Sequence, residues 1–439
     1  MNPSSAYARG SIGYYWSSTA YNGTTAYRLA ISSTYVYPGT TGNYKYRANS
    51  IRCIVDQTLY HEVSKQSKGT QTAANLQTTI SSSNSGVYKY NSSFGAASDA
   101  ESGFNIYYYR GILDNTTGTY GSDGDAGAYP NYVILDSNGG SHTTSDTCWR
   151  IVRTTGSGGV KMIYNGKWTG STCANSGTNV QTTTATTVFS GTTSTYAQAV
   201  RVGYTYNNSY ASNTNTNRTL ATLFGSDSSY SGNTKDSDAK SQVETWFTNN
   251  INSYTNLLEP SAGYCNDRSA YNTSGTLQNE SSVSTQQYAT SGVTRLNFGA
   301  HNRNLTTYQT PSLSCSRSTV DLYSTSSASG GNKQLLKPVA LLTADEASFA
   351  GSGSQTATQG SSYNSKSFLN AGANFVLLSP SYRNTTGRTY MFRLNTNGYL
   401  ASAYTSATNG MRPVISLNAG ATPISGVGTA TNPWVIKTP

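Results

Sequence analysis

The chain has 439 residues, and Ser, Thr, Asn and Gly make up about 47% of it, while only 11% is charged; that is far from the composition of an average soluble enzyme. A hydrophobic content of 35% with 35 Tyr, 10 Phe and 5 Trp argues against disorder, because this much apolar surface can be buried in a core. The net charge of +10 comes from scarce acids and scattered bases without a Lys/Arg run, so nucleic acid is not an expected partner, and no stretch reaches the roughly 18 apolar residues of a membrane span. Tyr and Thr favour strands and good helix formers are scarce, so the expected fold class is β-rich α+β with long loops and a few short helices.

In chain order, the first strands are Tyr14–Tyr21, Ala26–Ile31 and Asn49–Val55, separated by polar, tyrosine-containing loops. The chain starts Met-Asn-Pro-Ser-Ser without the basic and apolar regions of a secretory signal, so it is expected to be processed, truncated, or exported by a signal elsewhere. Residues 57–84 read as a linker with a weak helix over 57–80, and 85–439 as the main body. The stretches 174–198 and 205–218 lack periodicity and read as loops or edge strands. Residues 237–251 place Val243, Trp246, Phe247 and Ile251 on one helical face, with Ser237 or Asp238 as cap. Thr343-Ala344-Asp345-Glu346 is a capping-box pattern after the apolar run Val339–Leu342, where a strand hands over to a short helix.

Near the end, Asn374–Tyr382, Tyr390–Asn395 and Asn409–Leu417 repeat the grammar of the first 55 residues. An apolar strand ends in Ser-Ser or Ser-Pro, a second carries Arg-Leu, and an Arg-containing apolar strand closes the unit. The expectation is three antiparallel strands, twice. A first copy of some 45 residues buries too little to stand alone, so it is expected to pack on the body or on another molecule.

The stretch from Gly13 to Tyr21, with Arg47 to Ile54, resembles the closing segment of bacterial C-type-lectin-fold domains, of the Fibrobacter major-paralog type and the variable proteins of diversity-generating retroelements. The resemblance covers about residues 1–56. It implies a ligand-facing patch of Tyr21, Asn22, Tyr35, Tyr37, Asn43, Tyr44 and Tyr46. Residues 57–439 resemble an uncharacterised family of secreted or cell-surface proteins from Gram-positive and related bacteria, through Ile106–Gly111, Cys148–Thr155, Val160–Gly166, Tyr264–Ser269, Pro311–Cys315, Leu342–Glu346 and Met411–Leu417. That resemblance implies a second C-type-lectin-like fold, related to the formylglycine-generating-enzyme superfamily. The copper-binding cysteine pair of those enzymes has no counterpart, since no two cysteines here lie close in sequence.

Five cysteines without a CxxC and three separated histidines, His61, His142 and His301, offer no zinc spacing. By order and loop length Cys148 pairs with Cys173 and Cys265 with Cys315, which fits an extracellular setting; Cys53 is left as a buried thiol or an interchain bridge. Asp123 and Asp125 in Gly-Ser-Asp-Gly-Asp-Ala-Gly offer hard oxygen ligands suited to calcium, although a plain acidic turn explains them too. No nucleophile elbow and no spaced carboxylate pair marks a catalytic centre. Tyr with Ser, Gly and Asn is instead a contact-surface composition: large rigid area with a polar tip. The expected function is therefore non-enzymatic adhesion or ligand binding outside the cell, toward a surface glycan or a protein. The alternative is a homopolymeric filament or surface layer joined head-to-tail through the N-terminal strands.

Overall fold

The computed structural model describes residues 12–32, 36–38, 43–44, 58–76, 80–81, 83–98, 103–113, 129–136, 138, 140–182, 203–206, 235–279, 295–305, 310–327, 330–353, 367–384 and 388–437. The chain divides into two compact units, residues 1–56 and 57–439.

The smaller unit contains β1 (Ile12–Ala20), β2 (Thr25–Ser32), β3 (Val36–Pro38) and β4 (Asn43–Tyr44). β1 and β2 form an antiparallel hairpin, and β3 and β4 pair with successive parts of the other edge of β2. The turn closes on Asn22, whose Oδ1 accepts from the Thr24 and Thr25 backbone N–H groups, both at 2.9 Å, as an Asx turn does.

The larger unit opens with α1 (Leu59–Ser64), β5 (Ser67–Thr70), α2 (Ala73–Leu76), β6 (Gly86–Lys89), β7 (Tyr107–Arg110), β8 (Tyr132–Leu135), β9 (Thr147–Thr154) and β10 (Val160–Lys167). Next come β11 (Thr205–Tyr206), β12 (Lys235–Asp236), α3 (Asp238–Asn250), β13 (Tyr264–Cys265), β14 (Ala270–Tyr271), β15 (Arg295–Phe298), α4 (Gly299–Leu305), α5 (Ser318–Asp321), β16 (Leu322–Tyr323) and β17 (Ala340–Leu341). The unit ends with α6 (Ala344–Phe349), β18 (Phe375–Asn384), β19 (Thr389–Leu394), β20 (Leu400–Tyr404), β21 (Pro413–Leu417) and β22 (Trp434–Ile436). It is a strand-rich α+β arrangement with short helices.

A nine-stranded sheet runs β17-β21-β10-β9-β7-β6-β5, with β8 joining β9 to β22. All eight residues of β9 are buried, so both faces of this strand are covered and its sequence does not alternate apolar with polar. On one face Trp149 meets Tyr164 and Trp246 of α3, with ring centroids 5.6 and 6.1 Å away. On the other, Cys148 joins Tyr132, Ile134, Trp168 and Val435 in a smaller apolar cluster. α3 buries Val243, Trp246 and Phe247, the face expected from its spacing, and Ser237 rather than Asp238 caps it. The Thr343 capping box is formed on both sides. Residues 57–84, expected as a linker, contribute structure to this unit: Leu59 and Val63 of α1 are fully buried in the main core. Among the described residues of this stretch helix is confined to α1 and α2, with β5 between them, where Gly69 stands at φ +99°, outside the helical region.

A five-stranded sheet runs β14-β15-β18-β19-β20, and here the internal echo becomes a geometric fact. In β18–β19 the partners Phe375↔Leu394 and Val376↔Arg393 are followed by Pro380↔Met391. In β1–β2 the partners Tyr15↔Leu29 and Trp16↔Arg28 are followed by Ala20↔Ala26. In both hairpins the first strand advances by four residues while the second retreats by two, so each bulges at its serine-rich stretch. The expected third strand differs. Pro413–Leu417 pairs with β10 and β17 in the nine-stranded sheet, and β20 takes the third place beside β19. The closing strand of the first copy, Asn49–Val55, and the loops over 183–198 and 207–218 lie outside the described residues.

Candidate functional site: a tyrosine ladder on the five-stranded sheet

Register sets five residues in one line across this sheet: Tyr271↔Asn297, Asn297↔Tyr382, Tyr382↔Tyr390 and Tyr390↔Tyr404. Directly paired residues share a face, so the row reads Tyr-Asn-Tyr-Tyr-Tyr. The bulge around Ser381 brings this about, since without it Tyr382 would fall one place out of register with Tyr390. The middle of the row is closed: Asn297 is fully buried, and His301 of α4 meets Tyr382 edge-on at 5.3 Å while its Nδ1 bonds Ser381 Oγ at 2.8 Å.

The outer half of the row opens to solvent. Tyr382 and Tyr390 stack at 4.2 Å with planes 17° apart, Tyr390 and Tyr404 lie 4.5 Å apart at 34°, and Tyr404 is 36% exposed. Arg388, itself exposed, lies 5.1 Å over the Tyr404 ring and donates from Nη1 to its hydroxyl at 3.1 Å. The Tyr404 phenol, which accepts from Arg388, is shifted below the ordinary tyrosine range by the neighbouring Tyr390 hydroxyl and by Arg388. Burial raises Tyr390 in turn, and the neighbouring Tyr404 hydroxyl adds to the rise. Stacking occupies the ring faces, so the surface offers ring edges, a line of phenol oxygens and one guanidinium. Such pairs stabilise a sheet by about 0.5–1.5 kcal/mol each. They also form a rigid, amphipathic contact surface with little rotamer entropy left to lose.

Behind the sheet, α6 carries an ion cluster. Glu346 Oε1 accepts from Arg153 Nε at 2.8 Å and Lys161 Nζ at 3.0 Å, and all three side chains are at most 5% exposed. Burial works to raise the Glu346 carboxyl, but Lys161 and Arg153 outweigh it and hold it at about 2. The cavity here, which also reaches Arg303, Asp267 and Asp345, has a volume of about 20 Å³, room for a single water. The cluster therefore braces α6 against β9 and β10.

The residues expected from sequence fall in several places. Tyr21 is 48% exposed and meets Tyr27 edge-on at 5.3 Å, whereas the Asn22 side chain is committed to its turn. By register Asn43 and Tyr44 stand opposite Ala26 and Thr25, beside that turn, and Tyr37 opposite Ala30, farther along β2. Tyr35, Tyr46, Cys53, Asp123 and Asp125 lie outside the described residues. Cys148–Cys173 and Cys265–Cys315 are disulfides with Cα separations of 5.5 and 5.7 Å. His142 pairs with Asp136 at 2.7 Å, and no helix among the described residues is long and apolar enough to cross a membrane. Sequence reading took Tyr382 and Tyr390 as strand residues and missed Arg388 and Tyr404. The pairing that unites them depends on a bulge that periodicity does not reveal. No family model, curated protein or solved structure matches the chain.

Proposed function

We propose that the chain is an extracellular, non-enzymatic bacterial surface protein of C-type-lectin-like fold that binds a surface glycan or protein ligand through tyrosine-, serine- and asparagine-rich surfaces. The observation that carries this reading is the solvent-facing ladder of Tyr382, Tyr390 and Tyr404 capped by Arg388. Two disulfides support an oxidising compartment. A surface kept polar by hydroxyls and amides rather than by charge supports contact through hydrogen bonds and ring edges. The test is a glycan and protein array probed with the wild type and with Tyr404→Ala and Arg388→Ala. Binding that falls at least about tenfold in both variants, with unchanged circular dichroism, is expected; array binding indifferent to both would remove the ladder from the function.

The second reading is a self-assembling filament or surface layer joined head-to-tail through the N-terminal strands. It is favoured by the shared register step of β1–β2 and β18–β19, which gives one chain two versions of the same hairpin.

A further inference from the structure

At the β14 edge of the same sheet, four strand spacings or roughly 19 Å from Tyr404, lies a second concavity of about 470 Å³. One wall is the segment Thr310–Arg317, which bends at Leu313 and ends in a turn at Ser316 and Arg317. Its hydroxyl residues Thr310, Ser312, Ser314 and Ser316 alternate with buried Pro311, Leu313, Cys315 and Arg317, the period-2 pattern of an extended chain, and all four line the cleft with Tyr271 and Arg303. The segment is held along its length. Thr310 N–H donates to Arg303 O at 3.0 Å, Ser312 N–H to Asp345 Oδ1 at 3.0 Å, Leu313 N–H to the Tyr90 hydroxyl at 3.2 Å and Cys315 N–H to Ser98 Oγ at 2.6 Å. The Cys265–Cys315 disulfide ties it to the chain that carries Asp267.

Arg303 forms the floor. Its Nε and Nη2 donate to Asp345 at 2.8 and 2.7 Å, and its Nη1 is ion-paired with Asp267 at 2.6 Å. Two of its five N–H groups are thus hydrogen-bonded among the described residues, and 19% of the side chain is exposed. The two carboxylates are at most 5% exposed and turned onto Arg303. Around the adjoining cavity the cations Arg303, Arg153 and Lys161 face the carboxylates Asp267, Asp345 and Glu346, so the floor carries no net charge to favour an anion, and burial of the carboxylates withholds them from a cation. What remains for a ligand is the Arg303 N–H groups not donated to Asp345, a line of hydroxyls that both donate and accept, and the aromatic rings of Tyr271 and Phe94. The Thr310 and Ser314 hydroxyls make no hydrogen bond among the described residues.

We infer that this cleft is a binding site for a neutral polyhydroxylated ring, such as one sugar unit, distinct from the tyrosine ladder and independent of what the ladder binds. The volume lies in the range of small-molecule sites, and a hydroxyl-rich wall with fixed backbone is preorganised for such a ligand.

The experiment is isothermal titration and saturation-transfer NMR on the full chain with glucose, galactose, mannose, N-acetylglucosamine and myo-inositol, and with inorganic phosphate and glucuronate as charged counterparts. The wild type, Ser314→Leu, Arg303→Lys and the ladder variant Tyr404→Ala are compared. At least one neutral compound is expected to bind, about tenfold or more weaker to Ser314→Leu, with Tyr404→Ala like the wild type. Ser314→Leu fills the cleft from a half-exposed position, so an unchanged melting temperature separates lost binding from lost fold. The inference is overturned if none of the neutral compounds binds, if Ser314→Leu binds as the wild type does, or if phosphate or glucuronate binds more tightly than every neutral ring.

Discussion

Glu346 does two jobs that normally fall to different residues. Its Oε2 accepts from the Thr343 N–H at 3.1 Å to close the capping box, while its Oε1 holds Arg153 and Lys161. Because its carboxyl is depressed in the folded chain to about 2 from the usual 4.5, the stability it contributes is fully present above the unfolded value and is lost as pH falls from about 4.5 toward 2. Glu346→Gln leaves two cations buried without their carboxylate and is expected to cost about 3–5 kcal/mol in urea unfolding at pH 7. It should also flatten the acid limb of stability between pH 4.5 and 2. A variant whose acid limb superimposes on that of the wild type would show that another carboxylate governs that limb. Arg412 shows the opposite solution. It is fully buried, and its Nε, Nη1 and Nη2 donate to Tyr164 O, Leu369 O and Asn165 Oδ1 at 3.0, 3.0 and 3.1 Å. Burial, with Arg150 nearby, lowers its pKa to about 9.

Among the elements, the segment Thr310–Arg317 is tied down by a covalent bridge. It has no sheet partner among the described residues, and its backbone is held by two backbone bonds, by side chains and by the disulfide at Cys315. The bridge spans 50 residues, for which chain-entropy reasoning gives about 4 kcal/mol. The double variant Cys265→Ser/Cys315→Ser is therefore expected to lose about 2–4 kcal/mol in equilibrium unfolding. Hydrogen exchange should show the largest loss of protection at Ser312–Ser316, with β9 and β10 little changed. A uniform loss of protection across the nine-stranded sheet would mean that the bridge supports the whole unit instead of this wall. The tyrosine ladder needs no such staple, because each of its strands is paired on both sides or joined by a short hairpin.

At the scale of the whole molecule, the larger unit closes its core among its own residues, from Leu59 to Ile436. The smaller unit repeats the β18–β19 register with its own hairpin and a short pair of additional strands. A unit of 56 residues buries little of its surface on folding and is marginal in isolation, which gives the head-to-tail reading its physical motive. Sizing and negative-stain microscopy of the full chain beside a version lacking residues 1–56 decide it. Assembly predicts fibres that grow with concentration and vanish with the deletion. Monomers in both preparations would end that reading and leave the binding reading in place.

Composition and local pattern alone determined the strand-rich class, the two disulfide pairings, the buried face of α3 and the Thr343 cap, since each rests on contacts or spacings within a short stretch or on loop length. The kinship of the two hairpins was also legible, because the Ser-rich break and the Arg-Leu pair are local features. Where Pro413–Leu417 pairs was decided only by tertiary structure: an apolar strand buried on both faces carries no mark of its sheet. The ladder and the cleft were decided there as well. The ladder needs a bulge to align Tyr382, Tyr390 and Tyr404, and the cleft needs α4, α6 and a disulfide-tied segment to meet at Arg303. Such meetings are long-range, and nothing in the spacing of 267, 303, 314 and 345 announces them.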